Sequence, residues 1–250
     1  MNKIKVKKIV IEHLKDLNIQ KHDNLIVHSD ISKFGVYNSE LPKIIIDSIL
    51  KIIGRNGTLA IPLYNTELDK KKIINIKKDY GKKENSILSI FFFKKYKLKR
   101  TSSIFHSHLI KGKLESIFDN RTVYESFGKR SDFDLFFKYN FKLLLLGCDA
   151  RQGCTYLHHI EDASNPAYRI KKQFYLKIKV GFKSFKQKII YGIRKKNVLL
   201  NFNKIFFSNK VNEITKSANL KFGKSYFVNI REFDSICRKL IKKDPKILLS

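Results

Sequence analysis

No stretch of this sequence approaches the run of about 18 apolar residues that a membrane-spanning helix needs, so no transmembrane segment is expected. The opening MNKIKVKKIVIEHLKDL spaces Ile4, Ile9, Val10, Ile11 and Leu14 as an amphipathic helix does. It lacks the apolar core and cleavage site of a signal peptide. Cysteine is scarce. Cys148, Cys154 and Cys237 are odd in number and have no metal-like spacing, which points to free thiols in the cytoplasm and to no metal site. Cys148 and Cys154 flank one loop, where a nucleophilic cysteine is the lesser reading. Carboxylates are few too: 22 Asp and Glu stand against 52 Lys and Arg, a formal net charge of +30. Such an excess ordinarily suggests nucleic acid or an anionic membrane surface. Arginine, however, occurs only nine times. No arginine stripe, zinc spacing, helix-turn-helix signal or RNP-like aromatic pattern accompanies the lysines, so no specific nucleic acid is expected. Abundant Lys, Ile, Asn and Phe read as a compositional bias whose field still favours anionic ligands. Internal repeats, low-complexity linkers and a glycine-rich triphosphate loop are absent.

What is present is a chain of 250 residues, 43% hydrophobic, enough for one domain over 1–250 with a flanking hairpin element at 170–210. The first helix is expected over 3–19, a strand over 24–28, an amphipathic helix over 40–53 and a strand over 58–62. Strand, helix and strand in about 40 residues make a βαβ unit with a parallel pair. Residues 65–85 read as an exposed, lysine-rich excursion and 86–96 as a helix with an aromatic face. A segment from Arg100 to Gly112 then gathers hydroxyls with His106 and His108. Arg100 reads two ways, as a phosphate ligand or as an ion pair closing the loop. A helix is expected over 132–139. Beyond Arg169, residues 174–180 and 188–193 read as an antiparallel hairpin. Residues 197–209 read as irregular, 211–219 as a helix, 226–229 as a strand and 231–242 as a closing helix. The fold class is α/β, a mixed sheet with a parallel core flanked by helices on both faces, plus a small antiparallel hairpin.

The chain is organised around Phe141 to Arg169. Leu143 to Leu146 is an apolar run stopped by Gly147, as in a strand covered on both faces. Thr155 can cap a short helix that Asn165-Pro166 ends. His158 and Glu161, three apart, share a face of that helix, with Asp162 in reach. A histidine beside a carboxylate after a central strand suits a general base with its orienting partner, whereas HHIED alone suits a solvated turn. His159 points elsewhere and reads as structural.

In order, these pieces resemble the aminoglycoside 3-N-acetyltransferase family. Its strand-loop matches Val27-His28-Ser29-Asp30-Ile31-Ser32-Lys33-Phe34-Gly35, and its G-x-x-GTL-x-x-P matches Gly54 to Pro62. Its arginine segment matches Arg100 through Ser107 to Gly112. Further on, Asp119, Gly128, Ser131, Leu135 and Leu144 to Gly147 stand in register. Its T-x-LH-x-x-E followed by YR matches Thr155, Leu157, His158, Glu161, Tyr168 and Arg169. Two departures stand out: Ser103-Ile104 occupy the family's His-Pro position, with His106 nearby, and Asp30 replaces a small hydroxyl residue.

The resemblance implies acetyl transfer from acetyl-CoA, the cosubstrate, to an amine. His158 would be the base and Glu161 its orienting carboxylate. Thr155 or backbone N–H groups at the start of its helix would face the oxyanion. The coenzyme would lie along Ser29, Asp30, Ser32, Arg100 and Ser107. A chain at +30 repels a polycation, so the first expectation for the acceptor is an anionic, nucleotide-linked amino sugar of surface-polysaccharide biosynthesis. The alternatives are an aminoglycoside, as in antibiotic resistance, and a basic binding module without chemistry. A homodimer is left open.

Overall fold

The computed structural model describes residues 1–66, 73–81, 83–119, 121, 123 and 125–250. The chain begins with α1 (Lys3–Asp16), β1 (Asn24–Ser29), a 3-10 turn (Ile31–Phe34), α2 (Leu41–Ile53) and β2 (Thr58–Pro62). Next come β3 (Ile74–Asn75), α3 (Ile87–Tyr96), β4 (His108–Gly112), α4 (Glu115–Phe118), α5 (Asp132–Lys138) and β5 (Lys142–Leu146). The second half holds α6 (Ala150–Gly153), α7 (Tyr156–Ala163), β6 (Arg169–Val180), β7 (Lys183–Arg194), α8 (Asn203–Phe206) and α9 (Asn209–Ile214). It closes with β8 (Lys216–Leu220), β9 (Gly223–Asn229) and α10 (Ile230–Lys243).

Alternation along the buried strands sets the layers. Leu25 and Val27 of β1, Leu59 and Ile61 of β2, and Leu144 and Leu146 of β5 pack with the apolar faces of α1, α2 and α3. Their neighbours Ile26, Ala60, Leu143 and Leu145 face the opposite way, into a core shared with α5, α7 and α10. Both faces are covered, which is why these strands read as continuous apolar runs. The six-stranded sheet has the order β4-β2-β1-β5-β9-β8. β1 runs parallel to β2 and β5, while β4, β9 and β8 add antiparallel wings. The expected mixed sheet with a parallel core and helices on both faces is therefore the fold.

Several elements differ from expectation. The helix expected over 211–219 ends at Ile214; Thr215 turns extended and Lys216–Leu220 becomes the edge strand β8. Ser217 and Asn219 are weak helix formers, and β9 offers them a ladder. The stretch expected to be irregular contains α8, whose Phe206 is fully buried. The hairpin is longer than its apolar alternation suggested, with 12 residues in each arm. It forms a second sheet with β3, and Ile74 and Ile76 are buried beneath it against Leu176, Ile178 and Ile189. That end of the expected excursion is therefore not exposed; residues 67–72 and 82 lie outside the described residues. No helix among the described residues is long and apolar enough to cross a membrane.

Candidate active site

The site forms where β1 and β5 end side by side. Gly147 ends β5 at φ +75°, and a Cβ there would lie 2.4 Å from the Asp30 carbonyl oxygen. Only glycine allows the two loops to approach this closely. Asp30 caps the 3-10 turn by accepting from the Ser32 amide at 3.2 Å and from its hydroxyl at 2.5 Å. After β5, a capping box between Asp149 and Gln152 starts α6, and α7 follows at once. The buried face of α7 carries Tyr156, Leu157, His159, Ile160 and Glu161. His158 is left at the rim, its side chain 28% exposed.

His158 Nδ1 lies 2.8 Å from Glu161 Oε2. Glu161 is fully buried, which alone would raise its pKa, but hydrogen bonds from His158 and Arg169 hold it down at about 2. An ionised carboxylate only accepts, so Nδ1 carries the proton and donates it to Glu161. Arg169 Nη2, 3.0 Å from that same nitrogen, finds no acceptor there; it donates to Glu161 Oε2 at 2.7 Å. Arg169 Nη1 donates to the Gly192 carbonyl at 2.9 Å and ties the helix to β7. Burial lowers the pKa of His158 below its ordinary value, opposed by the Glu161 hydrogen bond. The ring is thus neutral at pH 7. Its Nε2 makes no hydrogen bond within the described residues, so its lone pair is available. The edge of Phe202 at 4.6 Å and the ring of Phe127 at 5.8 Å hold it in place.

Two openings meet at this imidazole. One is a cavity of about 450 Å³ whose wall includes Ser29, Asp30, His106, Thr155 and His158. The other is a cleft of about 620 Å³ between His158, Arg169 and the chain from Tyr191 to Leu199, with Arg194, Lys195 and Lys196 along it. A neutral base at such a junction can take a proton from a group entering on one side as it reacts with a group held on the other.

The structure gathers His158, Glu161, Thr155, Ser29 and Asp30 at this place; Ser32 sits on the adjoining turn without reaching the cavity. Thr155 makes no side-chain capping bond, while the amides of residues 155, 157 and 158 already donate to backbone carbonyls. The Thr155 hydroxyl faces the Tyr64 hydroxyl at the cavity wall and can rotate to meet a developing oxyanion, as those amides cannot. Arg100 and Ser107 lie elsewhere. Arg100 is fully buried, donating from Nε to Ser107 Oγ at 2.6 Å, from Nη2 to the Ile104 carbonyl at 2.9 Å, and to the Asp79 carbonyl. Ser107 in turn donates to the Leu63 carbonyl at 2.5 Å. With each of its three nitrogens donating to a neighbouring loop group, Arg100 is a clamp on the β2–β4 loops and lines neither opening. Its replacement by alanine should cost about 3–5 kcal/mol of stability by orphaning buried acceptors, measured by denaturant titration.

Three parts of this site had no assigned role in the sequence. His106 lines the cavity between the rings of Tyr64 at 5.0 Å and Phe127 at 4.8 Å, and burial, with His158 and His108 nearby, pushes its pKa well down. Arg169 was legible only as half of a Tyr-Arg pair, since nothing in its spacing shows that β6 begins against Glu161. The basic cleft arises from a loop that reads as featureless. A second histidine–carboxylate pair, His108 Nδ1 to Asp132 Oδ2 at 2.9 Å, is fully buried beside Thr101 and Arg121 and lines neither the cavity nor the cleft. His159 accepts from the Gly128 amide at 3.2 Å and is structural. Cys148 reaches the cavity, but burial beside Asp149 and Asp30 pushes its thiol up to about 12, the opposite of an activated nucleophile. No group of three His, Cys, Asp or Glu among the described residues could hold a metal ion.

Comparison with known proteins gives this geometry a family. The aminoglycoside 3-N-acetyltransferase family model matches residues 26–242. The aminoglycoside acetyltransferase AAC(3)-Xa is similar in fold, with a TM-score of 0.81 at 15% identity over 95% of this chain and 92% of that one. The YokD protein from Bacillus subtilis also gives 0.81, at 17% identity over 96% and 94%. A histidine-to-alanine mutant of AAC(3)-IVa in complex with a gentamicin gives 0.78, at 18% identity over 98% and 91%. None of the curated proteins compared with the chain matches it. By class this protein is an N-acetyltransferase. It belongs to the aminoglycoside 3-N-acetyltransferase family.

Proposed function

We propose that the protein transfers the acetyl group of acetyl-CoA to an amine of an amino sugar, with His158 as general base. The observation that carries this reading is the contact of His158 Nδ1 with the ionised Glu161, which leaves Nε2 unprotonated on a ring that lines both cavity and cleft. The acceptor nitrogen attacks the thioester carbonyl while Nε2 takes its proton; the carbon–sulfur bond breaks and the departing thiolate recovers a proton from the imidazolium. Glu161 keeps the ring oriented and stabilises that cation, and Thr155 donates to the oxyanion. The pantetheine arm fits the cavity walled by Ser29 and Thr155, which leaves the cleft to the acceptor. A solved neighbour, AAC-IIIb, is described as a binary complex with CoASH, which supports the donor.

For the acceptor, the family and the gentamicin and sisomicin complexes among its structural neighbours favour an aminoglycoside. No comparison supports the nucleotide-linked sugar expected from charge alone. One observation keeps that second reading in play: the residues lining the cleft include Arg194, Lys195 and Lys196 and no carboxylate. KM values for aminoglycosides and for nucleotide-linked amino sugars, compared at low and at about 0.5 M salt, separate the two. An aminoglycoside acceptor is expected to bind better as salt screens the cleft; a KM that rises with salt, on an anionic acceptor alone, would replace it.

A further inference from the structure

The β6–β7 hairpin is the most positively charged part of the chain. Residues 169–194 contain nine Lys and Arg and no Asp or Glu, so nine of the 30 net charges fall on 26 residues. A uniform lysine bias would spread them far more thinly. Register concentrates them further. Lys177 stands directly opposite Lys186 in the ladder, and Lys179 and Lys188 flank that pair on the same face, Lys188 opposite Tyr175 and Lys179 opposite Ser184. Like charges directly opposite oppose pairing. Lys171 meets Asp162 at 3.4 Å, but among the described residues Lys177, Lys179, Lys183, Lys186 and Lys188 have no carboxylate partner.

The tip is of the other character. The hairpin's inner face is buried at Leu176, Ile178 and Ile189, then runs past the core, leaving Val180 39%, Phe185 49% and Phe182 fully exposed. Gly181 turns the chain at φ +61° with nothing within 4 Å of where its Cβ would be, so the tip stands clear of the rest of the molecule. An unshielded phenylalanine at a turn, with lysines behind it, matches neither a solvated hairpin nor a core element.

We propose that this hairpin docks on the surface of a bilayer rich in anionic lipid, with Phe182 entering the headgroup region and the lysine face meeting lipid phosphates. Such a surface answers both features at once: its charge attracts the lysines and its acyl boundary accepts the apolar tip. A nucleic-acid backbone would meet the lysines but leave Val180 and Phe182 in water. A second copy of the hairpin would bring like charges together. The docking is independent of the acetyl-transfer mechanism.

The test is co-sedimentation of the full chain with vesicles of phosphatidylcholine alone or with about one-third phosphatidylglycerol, at low and at about 0.5 M salt. Wild type is expected to bind only the anionic vesicles, and to lose that binding in high salt. Phe182→Ser should weaken it about 10-fold and the double variant Lys177→Glu, Lys186→Glu about 10²-fold or more. Both variants should melt and turn over like wild type, since Phe182, Lys177 and Lys186 are all exposed and line neither opening. Equal binding to neutral vesicles would overturn the proposal, as would indifference to Phe182→Ser. Tighter binding to single-stranded nucleic acid than to anionic vesicles would replace the lipid with a different polyanion.

Discussion

His158→Ala should lower kcat for acetyl transfer by about 10²–10⁴-fold while the protein keeps its fold. The side chain is partly exposed, and its one acceptor, Glu161, keeps the Arg169 guanidinium as counter-ion when the ring is removed, so most of the loss falls on chemistry. The KM for acetyl-CoA should change little, because the imidazole acts on the acceptor's proton rather than on the coenzyme. Wild-type kcat/KM should also carry the signature of a base whose pKa lies below the ordinary 6.5. Below that pKa Nε2 is protonated and idle, so the rate climbs with pH along a limb centred under 6.5 and is level by neutrality. A drop of less than about 10-fold in the alanine variant, or the same acidic limb persisting in it, would take the base role away from His158.

Glu161→Ala should cost about 3–5 kcal/mol of stability and remove most activity. Glu161 is the fully buried anion that neutralises Arg169, and cutting it away leaves a guanidinium between α7 and β7 without its counter-ion. Denaturant melts should show the loss as a lower midpoint. Glu161→Gln separates the two roles: an amide oxygen still accepts from Nδ1, so the tautomer survives, but the charge is gone. Because Glu161 raises the His158 pKa against burial, its neutralisation should shift the acidic limb of the rate profile to lower pH as kcat falls. A Gln variant with wild-type profile and rate would make Glu161 purely structural.

The parallel core was legible because burial on both faces writes itself as unbroken apolar runs, Leu143 to Leu146 above all. The His158–Glu161 contact was legible because three positions on a helix fix a shared face. Tertiary choices were not. Arg100 sits among hydroxyls in sequence and reads as a free ligand, yet packing closes the Asp79, Ile104 and Ser107 groups around it. Residues 216–220 became strand through a neighbour, β9, that local propensity does not see. Arg169, which together with His158 holds Glu161 ionised, comes from an element eight residues on whose path no local pattern dictates. The cleft's cations Arg194, Lys195 and Lys196 straddle the end of β7, and only the fold shows that this stretch returns to His158.

The most direct test is acceptor-dependent release of free coenzyme A from acetyl-CoA by the wild-type protein. It is read as new thiol, with the mass of the acceptor followed in parallel. Steady thiol release is expected only when an amino sugar is present, with the acceptor heavier by one acetyl group. Thiol release that ignores the acceptor, or no turnover across the amino-sugar panel together with no thermal stabilisation by coenzyme A, would contradict it.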